Sequence, residues 1–306
     1  MSGKGTIHIV ANGYSGQGLA AQITEKVQAR CRAQGVPTEL HLSRNKRQIS
    51  TSIREACEAA GRDQGRVLVV GGDGTIRAVS EALCATDIPM AVIPTGTFNF
   101  FARNLGIPTA FEPALRLALE GEPRRVDLGR VNDRLFNNNA SFGLYSRMIR
   151  AREQHARRFG RHRVVAILST IVTLMRRYRS LDLTLSTGDL TRELRSPMVF
   201  VGINSLQMRG VDLEIGPSID TLNLGVVVMK PVSHWAMLRL SLRGLMRRLR
   251  DEACLEYFCA EQLEINTNRK RLNVVLDGER VRIKTPLRFS IESGALWVVA
   301  PPEGQG

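Results

Sequence analysis

Residues 1–120 alternate short apolar runs with helical periodicities, and that alternation limits the fold more than any other feature of the chain. Runs at 6–11, 38–42, 66–70 and 90–93 read as buried strands, and 19–34, 46–60, 75–84 and 113–120 carry helical spacing. A βαβαβαβ order gives a doubly wound parallel sheet, an α/β fold that binds ligands at the carboxyl ends of its strands. Those ends carry three loops: Asn12-Gly13-Tyr14-Ser15-Gly16, Gly71-Gly72-Asp73-Gly74-Thr75 and Pro94-Thr95-Gly96-Thr97. Glycines at a strand-to-helix junction let main-chain N–H groups close on an anion, and the helix N-terminus adds partial positive charge. Together the loops read as a nucleotide phosphate cradle. For the 71–75 loop alone, the alternative is a tight turn in which Asp73 or Thr75 caps the helix. Thr97 can donate to a phosphate oxygen, Asn99 and Arg103 can orient their loop or meet negative charge, and Phe98, Phe100 and Phe101 read as packing residues.

A composition shift follows Gly121-Glu122-Pro123. Beyond it come short β-like runs at 126–131, 134–138, 181–185, 198–202, 222–228, 263–266, 272–276, 281–283 and 287–291, mostly separated by turn residues, as in a β-sandwich. Two arginine-rich helical insertions, 145–178 and 234–251, interrupt that pattern. The expected division is an α/β nucleotide domain over 1–124 and a β-rich domain over 125–306, with room for the last ~20 residues to pack back on the first domain.

The 306 residues carry a formal net charge of +14, which calls for an anionic partner: polyphosphate, an acidic lipid surface or nucleic acid. Sparse aromatics and the lack of zinc-finger spacing place nucleic acid last. Cys31, Cys57, Cys84, Cys254 and Cys259 show no CxxC pairing and read as reduced thiols of a cytoplasmic protein. The chain enters its first strand with no secretory leader, and its longest apolar run, 164–175, is shorter than the ~20 residues a bilayer span takes. Arginines beside apolar residues in the two insertions suit docking on an anionic bilayer; solvated amphipathic helices are the alternative. The five histidines show no metal-ligand spacing: His8 and His41 fall in predicted strands, His155, His162 and His234 in basic segments.

Gly71-Gly72-Asp73-Gly74-Thr75 followed by Pro94-x-Gly96-Thr97-x-Asn99-x-Phe101-Ala102-Arg103 resembles the diacylglycerol kinase catalytic-domain family, which includes bacterial soluble lipid kinases and the sphingosine and ceramide kinases. Asn12-x-x-Ser15-Gly16 and Leu276-Asp277-Gly278-Glu279 are similar as well, and the stretch 131–145 resembles the start of the second domain in one bacterial subgroup. NAD kinases share the glycine-aspartate loop; the 94–103 motif separates lipid kinases from them. The resemblance implies an NAD kinase/diacylglycerol kinase-like sheet followed by a β-rich lipid-acceptor domain. It also implies ATP- and Mg2+-dependent phosphorylation of a lipid hydroxyl, by a cytoplasmic protein peripheral to the inner membrane surface. Diacylglycerol is the default acceptor, with ceramide, a sphingoid base or phosphatidylglycerol open.

Carried over by position, the nucleotide contacts are Asn12, Gly13, Tyr14, Ser15, Gly16, Ser43, Gly71, Gly72, Asp73, Gly74, Thr75 and Thr97. Asp277 and Glu279 form the acidic pair near the transferred phosphate, and either accepts the hydroxyl proton. Asp277-Gly278 also reads as a two-residue hairpin turn. One departure stands out: the family usually carries Asp-Asp-Gly where this chain has Asp220-Thr221-Leu222, and a neutral hydroxyl is a poor ligand for magnesium. Asp220 and the carbonyls of Ser218 and Asn223 remain as donors for that structural metal. The other readings are a soluble NAD kinase-like enzyme and a nucleotide-binding membrane module without turnover. Oligomeric state is left open, a homodimer included.

Overall fold

The computed structural model describes residues 5–13, 19–45, 47–144, 180–188, 190–203, 223–233 and 254–302. Tyr14, Ser15, Gly16, Ser218, Asp220, Thr221 and both arginine-rich insertions lie outside the described residues. The chain forms two compact units, 1–128 with 292–306, and 129–291.

The first unit is the expected α/β sheet. Its elements are β1 (Ile7–Asn12), α1 (Leu19–Ala33), β2 (Thr38–Ser43), α2 (Ile49–Asp63), β3 (Arg66–Gly71), α3 (Asp73–Leu83), β4 (Met90–Pro94), α4 (Phe100–Asn104) and α5 (Phe111–Glu120). The strands pair in parallel in the order β2-β1-β3-β4. Val67, Leu68, Val69 and Val70 are all 0% exposed, so both faces of the sheet centre are covered, as an unbroken apolar strand requires. Ile9, Leu68 and Ile93 pack against Val27 and Cys31 of α1 and Leu115 of α5. Side chains of the opposite parity face α2 and α3, and the Ser80 hydroxyl of α3 contacts the Met90 sulfur.

The chain crosses between units inside β5 (Pro123–Val131), continues through β6 (Arg134–Phe136), β7 (Asn139–Gly143), β8 (Leu181–Thr187), β9 (Leu190–Ser196), β10 (Met198–Gly202), β11 (Leu224–Met229), β12 (Leu255–Ala260), β13 (Leu263–Thr267), β14 (Arg271–Leu276) and β15 (Glu279–Lys284), and returns inside β16 (Leu287–Val299). The end of β16 joins the first unit, where Val298 pairs in parallel with Met90.

In the second unit one antiparallel sheet runs β12-β11-β10-β7-β14-β15; β13 pairs with the start of β16 and with β8, and β8 with β9. Phe142, Val201, Val226 and Leu276 from the first set share one apolar core with Leu183, Ile265 and Phe289 from the second. This is the expected β-rich sandwich, with alternate residues of each strand turned inward.

Candidate active site

The loops at the carboxyl end of the first unit's sheet meet main chain to main chain. The Gly13 N–H donates to the Ser43 carbonyl (3.0 Å), which fixes the exit of β1 against the end of β2. Ser43 is fully buried, and its hydroxyl finds no hydrogen-bond partner among the described residues. A buried hydroxyl normally has a partner, so this orphan beside the Asn12–Gly13 turn suits a bound ligand. At the next strand, Gly72 is extended and α3 begins at Asp73, two residues before the sequence pattern suggests. The Thr75 and Ile76 N–H groups both donate to the Gly72 carbonyl (3.0 Å each). Asp73, Gly74 and Thr75 therefore form the first helical turn, whose leading donors have no partner one turn back; the Thr75 N–H is already held by the Gly72 carbonyl.

Gly72 and Gly96 touch. A Cβ on Gly96 would lie 2.9 Å from the Gly72 Cα, and one on Gly72 would lie 3.2 Å from the Gly96 Cα. The Thr95 N–H donates to the Gly71 carbonyl (2.9 Å). A Cβ on Gly96 would also lie 2.8 Å from Asn99 Oδ1, the acceptor of the Gly96 N–H, and the Gly72 contact is with backbone, which cannot swing aside. Gly96→Ala is therefore expected to push the loops apart and weaken binding of a non-hydrolysable ATP analogue at least about tenfold, read by calorimetry, with the far-ultraviolet circular dichroism unchanged.

Asp73 does not cap its own helix. Its carboxylate accepts the Phe101 N–H (3.3 Å), and the main-chain N–H groups of Asn99 and Phe100 reach it as well. Burial raises its pKa, and those amides oppose the rise by favouring the anion. The residue thus ties the start of α3 to the turn that opens α4. Within that turn Asn99 adopts the left-handed conformation (φ 51°) and its Oδ1 accepts the Gly96 N–H (2.9 Å). Thr97 lies exposed at the tip. Of the three phenylalanines read as packing residues, only Phe101 is buried. Phe98 and Phe100 are each 45% exposed and stack on one another, centroids 5.4 Å apart. The correction follows from chain direction: α4 is five residues long, and one aromatic suffices to anchor it.

In the second unit Asp277 and Gly278 form the two-residue turn between β14 and β15, with Leu276 and Glu279 paired. Both turn residues have positive φ (48° and 87°), the geometry for which Asp-Gly is favoured. The Asp277 side chain is buried and accepts three main-chain N–H groups, from Asn137 (2.7 Å), Asn138 (2.8 Å) and Asn139 (3.1 Å). Its own N–H donates to the Asn139 carbonyl (3.0 Å). Glu279, by contrast, is exposed. Of the three residues considered for a structural magnesium, only Asn223, half-buried just before β11, is described.

Residues 6–131 match the family of the diacylglycerol kinase catalytic domain. That stretch is similar to the catalytic domain the family is named for. Among curated relatives, the "Probable lipid kinase YegS-like" protein of Enterobacter sp. (strain 638) is 32% identical over 139 residues, 44% of this chain and 46% of that protein. The Mycobacterium tuberculosis (strain ATCC 25618 / H37Rv) diacylglycerol kinase is 27% identical across 98% of this chain and 96% of its own. The match to the first YegS-like relatives spans less than half of their length. A crystal structure of a diacylglycerol kinase from Bacillus anthracis str. Sterne has the same fold, with TM-score 0.67, 18% identity, and 99% and 98% of the two chains covered.

The matched residues 6–131 hold most of the residues read from sequence as nucleotide contacts. Asn12, Gly13, Ser43, Gly71, Gly72, Asp73, Gly74, Thr75 and Thr97 all belong to the loops at the carboxyl end of the first unit's sheet. The three consecutive amides around Asp277 had a visible trace in the run Asn137-Asn138-Asn139, since a bend between two short strands must leave main-chain donors unpaired. Among the described residues, no helix of the chain is long and apolar enough to cross a membrane.

Proposed function

We propose that this chain is an ATP-dependent kinase that phosphorylates the hydroxyl of a diacylglycerol-like lipid at a membrane surface. The observation that carries the reading is the carboxylate of Asp73, which gathers the 99–101 amides and so locks two glycine loops together at one sheet end. Loops built that way present main-chain N–H groups to a triphosphate without reorganising at the moment of reaction, where electrostatic stabilisation is worth most. Asn12, Gly13, Ser43, the 71–75 turn and Thr97 would hold the nucleotide; Ser43 contributes the hydroxyl that has no partner among the described residues. Tyr14, Ser15 and Gly16 complete the set by position. Bound ATP with Mg2+ supplies the phosphoryl group and neutralises its oxygens.

The chain's own task is to orient the acceptor and take its proton. The lipid oxygen bonds to the γ-phosphorus as the bond to the β,γ-bridging oxygen breaks, ADP leaves, and the hydroxyl proton passes to a carboxylate. The Asp277 carboxylate is buried and already accepts three main-chain amides; we assign the proton to the exposed Glu279. A net charge of +14 supports action at an anionic surface.

The test is transfer of label from [γ-32P]ATP to micelles of diacylglycerol, ceramide, sphingoid base or phosphatidylglycerol, with NAD as a parallel acceptor. Label in a lipid phosphomonoester is the expected result. Label only in NADP, or ATP binding with no transfer to any acceptor, would refute it. Glu279→Gln should cut kcat by about 10²–10⁴-fold with ATP-analogue affinity unchanged; an undiminished kcat would take the base role from Glu279.

A further inference from the structure

We propose that His8, Glu39 and His41 form a site for a borderline divalent transition metal such as Zn2+, with Asp63 fixing the orientation of His8. The residues are 33 positions apart in sequence at the widest, so only the fold brings them together. In the parallel register of β1 and β2, His8 lies opposite Glu39, and His41 follows two residues later on the same face. His8 Nδ1 is 3.4 Å from His41 Nε2 and 3.3 Å from Glu39 Oε2, and His41 Nε2 is 3.8 Å from Glu39 Oε1. A tetrahedral metal with bonds of 2.0–2.1 Å separates its ligand atoms by about 3.3–3.4 Å. All three groups can bring one ligand atom within 4.8 Å of the others.

Proton accounting favours a cation there. His8 Nε2 faces the Asp63 carboxylate at 3.0 Å, the last residue of α2, and donates its hydrogen to it. In the neutral ring that leaves a lone pair on Nδ1, aimed at a carboxylate oxygen and at a second imidazole. Either a proton on His41 Nε2 or a metal cation between the groups satisfies that lone pair, and the second also satisfies the Glu39 carboxylate. A histidine whose far nitrogen is held by a carboxylate is the usual outer arrangement of a metal-bound imidazole. Two imidazoles and a carboxylate, with no thiolate, suit zinc and its neighbours rather than calcium or magnesium. His8 is buried and the side chain of His41 is 8% exposed, so both imidazoles are largely shielded from bulk water. An open cleft of about 460 Å³ gives access past Glu55, Glu58 and Arg62. His8 precedes Asn12 by four residues, so the site lies ~13 Å down the strand from the phosphate loops. A metal there would clamp edge strand β2 and the end of α2 to β1, independently of phosphotransfer.

The whole chain, stripped with chelator and titrated with Zn2+ alone, should bind one equivalent and melt several degrees higher. Zinc absorption spectroscopy should show two imidazoles and no sulfur. Glu39→Gln, on an exposed residue, should weaken binding at least 100-fold while circular dichroism is unchanged, and His41→Ala should do the same. Asp63→Asn should keep one equivalent at about 10–100-fold lower affinity. No tight zinc in the wild type, sulfur in its coordination shell, or full affinity in Glu39→Gln would overturn the proposal, and a bare His8 imidazolium paired to Glu39 and Asp63 would then explain the cluster.

Discussion

Asp73→Ala is expected to lower kcat/KM for phosphotransfer by at least about 100-fold. The side chain is the shared acceptor for the amides of Asn99, Phe100 and Phe101. Without it, nothing from α3 holds the turn that carries Gly96 and Thr97, and the two loops lose their common anchor. Asp73→Asn keeps the size and one accepting oxygen, so it should fall between alanine and the wild type. Steady-state kinetics with parallel ATP-analogue binding checks both variants. Near-normal rates in Asp73→Ala would take the residue out of the nucleotide site.

The second large effect concerns stability. Asp277→Ala removes the acceptor of three main-chain N–H groups in a buried turn. Each donor left buried and unpaired costs about 1–3 kcal/mol, so the loss should reach about 3 kcal/mol or more. For a unit of this size that is a fall of roughly 6–12 °C in melting temperature. Asp277→Asn should also destabilise, because its amide places a donor against donors. Thermal unfolding measured beside kcat separates the two roles. A variant that melts normally but turns over slowly would make Asp277 the base after all.

The strands of the first sheet were legible because each is buried on both faces and reads as an unbroken apolar run, as Val67 to Val70 shows. Three strands fall outside the runs legible in the sequence: β9 and β12, which lie at sheet edges, and β7, which lies between β10 and β14. β9 carries Arg192, Glu193 and Arg195 with little buried, so no alternating pattern marks it. The run 134–138 was read as one strand, but it is β6 followed by a bend whose amides converge on Asp277, and β7 begins only at Asn139. Glycine loops declared the phosphate end of the sheet through residue type alone. The start of α3 did not, since Gly72 rather than a side chain precedes it. The cluster of His8, Glu39 and His41 was illegible for a different reason: its members converge through strand register, not through spacing along the chain.

Position 99 admits a very short list of residues. Glycine would accept its dihedral angles with ease but brings no oxygen for the Gly96 amide. Aspartate would bring the oxygen and tolerate the angles, yet it would set a second negative charge beside Asp73 and beside any phosphate the loops receive. Alanine tolerates such a backbone at position 85 (φ 59°) but brings no acceptor for the Gly96 amide, and branched residues are strained there. Asparagine meets the steric, hydrogen-bonding and charge requirements together, so exchanges at position 99 are expected to cost more than exchanges at the exposed aromatics Phe98 and Phe100.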